Sequence, residues 1–115
     1  MELGNTRTVF VVSVDDNKDL SDAKRFGKLR GVFSGTRKPY NTHRMVEQAR
    51  SVLSEWQPGD HLLMIGDPTL GAVCMTVLAE QVGTITVLKW DRLMFEYQPQ
   101  RWDFDERPHD FETAE

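Results

Sequence analysis

The turn Gly66-Asp67-Pro68 constrains this chain more than any other feature, because it joins a short apolar run, His61 to Ile65, to a helix-like stretch from Pro68 to Gln81. Asp67 stands where a helix N-cap belongs. Pro68 occupies the first helical position, where its missing N–H is no loss and its fixed φ suits a helix. Strand, sharp turn and helix in that order make an α/β unit whose turn lies at the carboxyl end of the strand, the edge where open α/β sheets bind ligands. Val82-Gly83 then closes the helix, Thr84 to Trp90 reads as the next strand, and Leu93 to Gln98 as an antiparallel return. Asp91-Arg92 is not a favoured two-residue turn, so a longer loop fits this hairpin as well.

Upstream, Thr8 to Val14 is rich in β-branched residues with few polar positions, as expected of a central strand covered on both faces. Leu20 to Gly27 reads as a short helical turn with Ser21 as its cap and Gly27 as its stop, and Leu29 to Ser34 as a second strand. Asn41 or Thr42 begins a helix whose Met45, Val46, Ala49, Val52, Leu53 and Trp56 recur at helical spacing, until Gln57-Pro58-Gly59-Asp60 breaks it. The helix Pro68 to Gln81 is apolar almost all round, which predicts a largely buried element or one that covers a partner. These elements predict a small Rossmann-like α/β domain over residues 1–102. It has a mostly parallel sheet of three to four strands, an antiparallel edge hairpin and two main helices. Residues 103–115 read as an acidic tail whose end frays.

At 115 residues the chain has room for one core, with 39% hydrophobic and 28% charged residues, inside the globular range. Cys74 is the single cysteine, so neither a disulfide framework nor a cysteine-based zinc site can be built within one chain. A reducing, intracellular setting is expected. The N-terminus lacks the charged start and cleavage site of a signal peptide, and no apolar run approaches the roughly 20 residues of a membrane span, so a soluble protein without membrane contact is expected. Charge is uneven along the chain: Lys18 to Arg50 holds nine Lys or Arg against three acids, a net +6, while Asp103 to Glu115 is −5.

No nucleophile triad, dinucleotide fingerprint or P-loop stands out, but three predicted strands end in acids, at Asp15-Asp16, Asp67 and Asp91. If the strands are parallel, these carboxylates share one sheet edge, an arrangement that holds Mg²⁺ against phosphate; Asp15, Asp67 and Asp91 are the candidate ligands. The same residues also suit plain local roles, Asp67 as a helix cap and Asp91 as the start of a turn. His43, His61 and His109 lie apart with no metal spacing and read as surface or junction histidines. Arg25, Lys28, Arg30, Arg37, Lys38, Tyr40 and Arg44 form a basic stretch with aromatic neighbours, suited to phosphate contacts and base stacking. The acidic pI near 5.3 argues against a dedicated nucleic-acid binder. Trp90, Phe95, Tyr97, Trp102 and Phe104 are a dense aromatic set for a hairpin and tail; strand alternation places Phe95 and Tyr97 on one face.

At His61-Leu62-Leu63-Met64-Ile65-Gly66-Asp67-Pro68, at Val87-Leu88-Lys89-Trp90-Asp91-Arg92 followed by Tyr97, and at Asp19-Leu20-Ser21-Asp22-Ala23-Lys24-Arg25-Phe26-Gly27, the chain resembles a family of small proteins encoded by tailed bacteriophages. The resemblance implies an accessory protein acting in the cytoplasm of the infected bacterium, and brings no activity with it. Leu93-Met94-Phe95-Glu96 departs from the more polar pattern of that family, which favours a covered or oligomeric hairpin. The leading expectation is therefore a non-enzymatic binding module without cofactor. It engages a host or phage macromolecule, a protein first, through Arg25, Lys28, Arg30, Arg37, Lys38, Tyr40 and Arg44 or through Trp90, Arg92, Tyr97 and Trp102, with self-association through the hairpin and tail. Two alternatives stand beside it: a magnesium-dependent phosphohydrolase or nuclease using Asp15, Asp16, Asp67 and Asp91, and a single-stranded nucleic-acid binder using residues 18–50.

Overall fold

The computed structural model describes residues 7–14, 19–33 and 41–104. Its strands are β1 (Thr8–Ser13), β2 (Lys28–Phe33), β3 (His61–Leu63), β4 (Thr84–Asp91) and β5 (Glu96–Asp103). Helices α1 (Thr42–Leu53) and α2 (Pro68–Gln81) join β2 to β3 and β3 to β4, and a 3-10 helix, Ser21–Phe26, joins β1 to β2. The strands form one sheet in the order β2-β1-β3-β4-β5, parallel except for the antiparallel β4–β5 pair. This is the Rossmann-like α/β arrangement the sequence predicts.

The order dictates which element covers which face. From β1 the chain moves outward to β2, then crosses back over β1 to β3 and on to β4. Parallel crossovers are right-handed, so reversing the direction of travel puts the crossover segments on opposite faces. One face accordingly carries α1 and α2, whose Ala49, Leu53, Leu70, Cys74, Val77 and Leu78 pack with Phe10, Val12, Leu62, Ile85 and Val87. The other face carries the 3-10 helix, whose Ala23 packs with Val9, Val11, Leu63, Leu88 and Tyr97. β1 is the layer between them, and every residue from Val9 to Ser13 is buried.

Local chemistry sets the ends of the elements, and several lie away from their expected positions. Asn41 caps α1, accepting from the His43 and Arg44 N–H groups, and Asp67 caps α2 through the Thr69 N–H. Ser21 is not the cap of its helix but its first residue; Asp19 accepts from both the Ser21 N–H (3.0 Å) and its hydroxyl (2.7 Å). β3 ends at Leu63 rather than Ile65, and Trp56, beyond the end of α1, stacks on Phe10 at 5.6 Å. α2 is not buried all round. Its buried residues form a stripe at helical spacing, while Ala72, Thr76 and Glu80 are exposed, because one sheet and one neighbouring helix cover only that side.

Leu62 sits at 0% exposure between β1 and β4, in the helix-side core. Leu62→Ala is expected to lower unfolding free energy by about 2–5 kcal/mol through lost burial and the cavity left behind. A shift of the urea midpoint at constant m-value measures this.

Candidate functional site

The carboxyl edge of the parallel strands is where the sequence points, and Asp67 and Asp91 both reach it. Each is occupied locally. The Asp67 carboxylate caps α2, and the Asp91 carboxylate accepts from the N–H groups of Leu93 (2.9 Å) and Met94 (3.1 Å). Asp15 and Asp16 lie outside the described residues. Among the described residues no group of three His, Cys, Asp or Glu side chains is placed to hold a metal ion. Cys74 is buried in the core, which pushes its thiol up to about 12, far from the range of a reactive thiolate.

The basic stretch is divided by the fold. Arg30 points to the helix side and pairs with Glu55, Arg44 is in the first turn of α1, and Lys28 begins β2 at the opposite sheet edge. Arg25 belongs to the 3-10 helix on the other face. Arg37, Lys38 and Tyr40 lie outside the described residues, as does His109. His43 is exposed and pairs with Glu47 on the next turn of α1.

The aromatic set is divided too. Trp90 and Tyr97 are paired across β4 and β5 and meet edge to face at 4.9 Å, with Tyr97 buried beneath. Trp102 pairs with Ile85 near the other end of the hairpin, on the opposite face of the sheet, and stacks on Phe104 at 6.2 Å. Phe95 is not on β5 at all. β5 begins at Glu96, so Arg92, Leu93, Met94 and Phe95 form the connection, closed by the Phe95 N–H donating to the Asp91 carbonyl at 2.8 Å.

Among the described residues this loop is the most exposed apolar feature. Leu93 is 88% exposed, Met94 63% and Phe95 74%, beside a Trp90 that is 42% exposed. Phe95 has φ 55°, the one positive-φ position outside glycine among the described residues. A bulky side chain there costs about 1–2 kcal/mol, because Cβ crowds the following carbonyl. Neither the exposure nor the strain helps the fold. A recess of about 310 Å³ lined by Lys89, Trp90, Asp91, Arg92, Gln98 and Gln100 adjoins the loop with polar groups.

The hairpin that presents the loop is held from the 3-10 helix by two residues not singled out together in the sequence. The Asp22 carboxylate accepts the Tyr97 N–H at 2.7 Å, and Arg25 Nη2 donates to the Tyr97 carbonyl at 2.7 Å. Arg25 also pairs with Asp22 at 3.1 Å and lies 3.9 Å from Glu96. Charged groups thus hold both backbone groups of one strand residue some 75 positions away in the chain. The Tyr97 N–H holds the Asp22 carboxyl below the usual range despite an opposing desolvation, with Arg25 adding to the effect. Burial, then the charges of Asp22 and Asp19, push the Tyr97 phenol up.

Two outcomes follow from this geometry. Because the folded chain keeps Asp22 ionised more firmly than the unfolded chain does, its stabilisation is complete above the ordinary carboxylate range and is lost as pH falls through the lowered pKa. Asp22→Asn is expected to lower the melting temperature at neutral pH, by an amount that shrinks towards zero in strong acid; a difference independent of pH refutes the ionised clamp. Phe95→Asn, placing a residue tolerant of positive φ at an exposed position, is expected to raise unfolding free energy by about 1 kcal/mol in urea titrations.

No curated protein and no solved structure matches this chain. The model of one family does match, that of the Phage Pam3 gp32-like protein, over residues 7–104. That span begins just before β1 and ends just after β5, taking in the whole sheet, the 3-10 clamp and the exposed loop. The chain therefore belongs to the Phage Pam3 gp32-like protein family, a phage-encoded family of small proteins.

Proposed function

We propose that this phage protein is a non-enzymatic module that docks a protein partner in the infected bacterium through the β4–β5 loop. The observation that carries the reading is the consecutive display of Leu93, Met94 and Phe95 on a turn that is capped by Asp91 and strained at Phe95. Backbone strain at a residue that is 74% exposed suits a binding element held in shape. With Trp90 and Arg92 alongside, the cluster has the aromatic, Met and Arg character of interface cores, and the polar recess beside it supplies a rim.

The two sheet edges support the loop as the docking element. β5 carries Pro99, which has no N–H to donate, and β2 carries the charged Lys28 and Arg30, so both outer strands are poorly suited to adding another strand. Among the described residues no helix is long and apolar enough to cross a membrane.

The test compares the full chain with a Leu93→Ser, Phe95→Asn double variant as baits in lysate of phage-infected cells, with light scattering of each alone. A partner retained by the wild type and lost by an equally folded variant is the expected result. Identical captured proteins from both baits overturn the reading. A wild-type oligomer that the substitutions dissolve assigns the loop to a second copy instead.

A further inference from the structure

At the amino edge of the parallel strands, opposite to the loop, Arg7, Lys24, Arg25, Phe26, Gly27 and His61 line an open pocket of about 580 Å³. We infer that it is a binding site for the phosphate group of a nucleotide-sized phosphate ester. Among the described residues the lining holds three cations and no acid, and of these Arg25 is already paired with Asp22 at 3.1 Å. Asp60, the acid whose charge reaches His61, turns its oxygens to the N–H groups of Thr8 (2.9 Å) and Gln57 (2.8 Å).

The pocket shows signs of being built rather than incidental. Arg7 is held at both ends by glycines of positive φ. A Cβ on Gly27 would fall 2.5 Å from the Arg7 carbonyl oxygen, and one on Gly59 would fall 3.0 Å from its Nε. The Arg7 carbonyl also accepts the Lys28 N–H at 3.0 Å, tying the start of β1 to β2. The guanidinium thus lies over a turn that has been cleared for it. Arg25, fixed by Asp22 and the Tyr97 carbonyl, lies 4.2 Å over the Phe26 ring, and Phe26 in turn packs on His61 at 5.1 Å. His61 Nδ1 is buried without a hydrogen-bond partner. Burial and the charge of Arg7 hold the imidazole below its ordinary pKa and so neutral near pH 7. A proton on the buried Nδ1 would be an unpaired donor, so the favoured tautomer carries it on Nε2, which is then free to donate to an anion.

A guanidinium fork, an ammonium and an imidazole N–H match the oxygens of a phosphate. The pocket is larger than a bare phosphate needs and lies within the size range of small-ligand sites. Recognition rests on charge, because Arg25 and His61 already occupy the Phe26 ring.

The test is an amide and imidazole NMR titration of the full chain with three probes: AMP, a short oligothymidylate and inorganic phosphate. Saturable shifts at Gly27 and His61 are expected with an ester probe, and Lys24→Gln, an exposed change that leaves the core intact, should weaken them about tenfold. Arg7→Gln should weaken them further, with Arg7→Lys restoring part of the affinity. Tighter binding of AMP identifies a free nucleotide as the source, and tighter binding of the oligothymidylate a nucleic-acid backbone. No saturable shift with either ester, or shifts unchanged by Lys24→Gln, overturns the site.

Discussion

A central strand buried along almost its whole length needs cover on both faces, and in a chain this short the two faces are covered unequally. β1 meets that demand with two full helices on one side and a single 3-10 helix on the other. A segment of six residues has only a small apolar face to offer, and 3-10 geometry is weaker than α-helical geometry. Ala23 lets it approach closely, and the Asp22 and Arg25 side chains extend its hold as far as Tyr97 on β5. The hairpin is therefore anchored by polar contacts where apolar cover runs short.

That anchorage gives the exposed loop its setting. Leu93, Met94 and Phe95 are carried on a turn whose first N–H groups go to the Asp91 carboxylate, on a hairpin whose Tyr97 is clamped by the 3-10 helix on the face where the Tyr97 side chain is buried. Among the described residues Asp19 and Asp22 accept backbone N–H groups, and three more carboxylates act in the same way. Asp67 caps a helix, Asp91 closes a loop and the buried Asp60 joins a turn to the start of β1. An ionised oxygen facing backbone N–H groups is a strong local constraint, and it gives Asp67 and Asp91 a local role at their strand ends. Arg25 links the hairpin to the basic pocket, since one guanidinium contacts β5 and lies over the Phe26 ring of the pocket.

The parts of the fold legible in the sequence are those set by neighbouring residues. Apolar periodicity and the Asp67-Pro68 cap locate α2, Asn41 starts α1, and the β-branched run from Thr8 marks the doubly covered strand, because caps and side-chain periods act within a turn or two of chain. The parallel core with one antiparallel edge follows from connections that pass through helices and from one hairpin. The hairpin boundary is less legible. The apolar letters of Leu93-Met94-Phe95 look like strand, whereas the Asp91 cap and the positive φ of Phe95 place them in a loop.

Tertiary structure alone decided which residues share a site. Arg30 and Arg25 are close in sequence and lie on opposite faces, because Arg30 projects from β2 to the helix side while Arg25 belongs to the 3-10 helix on the other face; Trp90 and Trp102 lie at opposite ends of one hairpin. Conversely, Arg7, Lys24 and His61 come from three separate elements and meet because parallel strands begin at one edge. Asp22 reaches Tyr97 because the 3-10 helix covers the face on which Tyr97 is buried, closing a gap of 75 residues. The sequence by itself determined the elements and the acids that cap them, since those depend on short-range spacing. Only the order and direction of the strands, set by right-handed crossovers around β1, decided which charges and which apolar side chains face outward together.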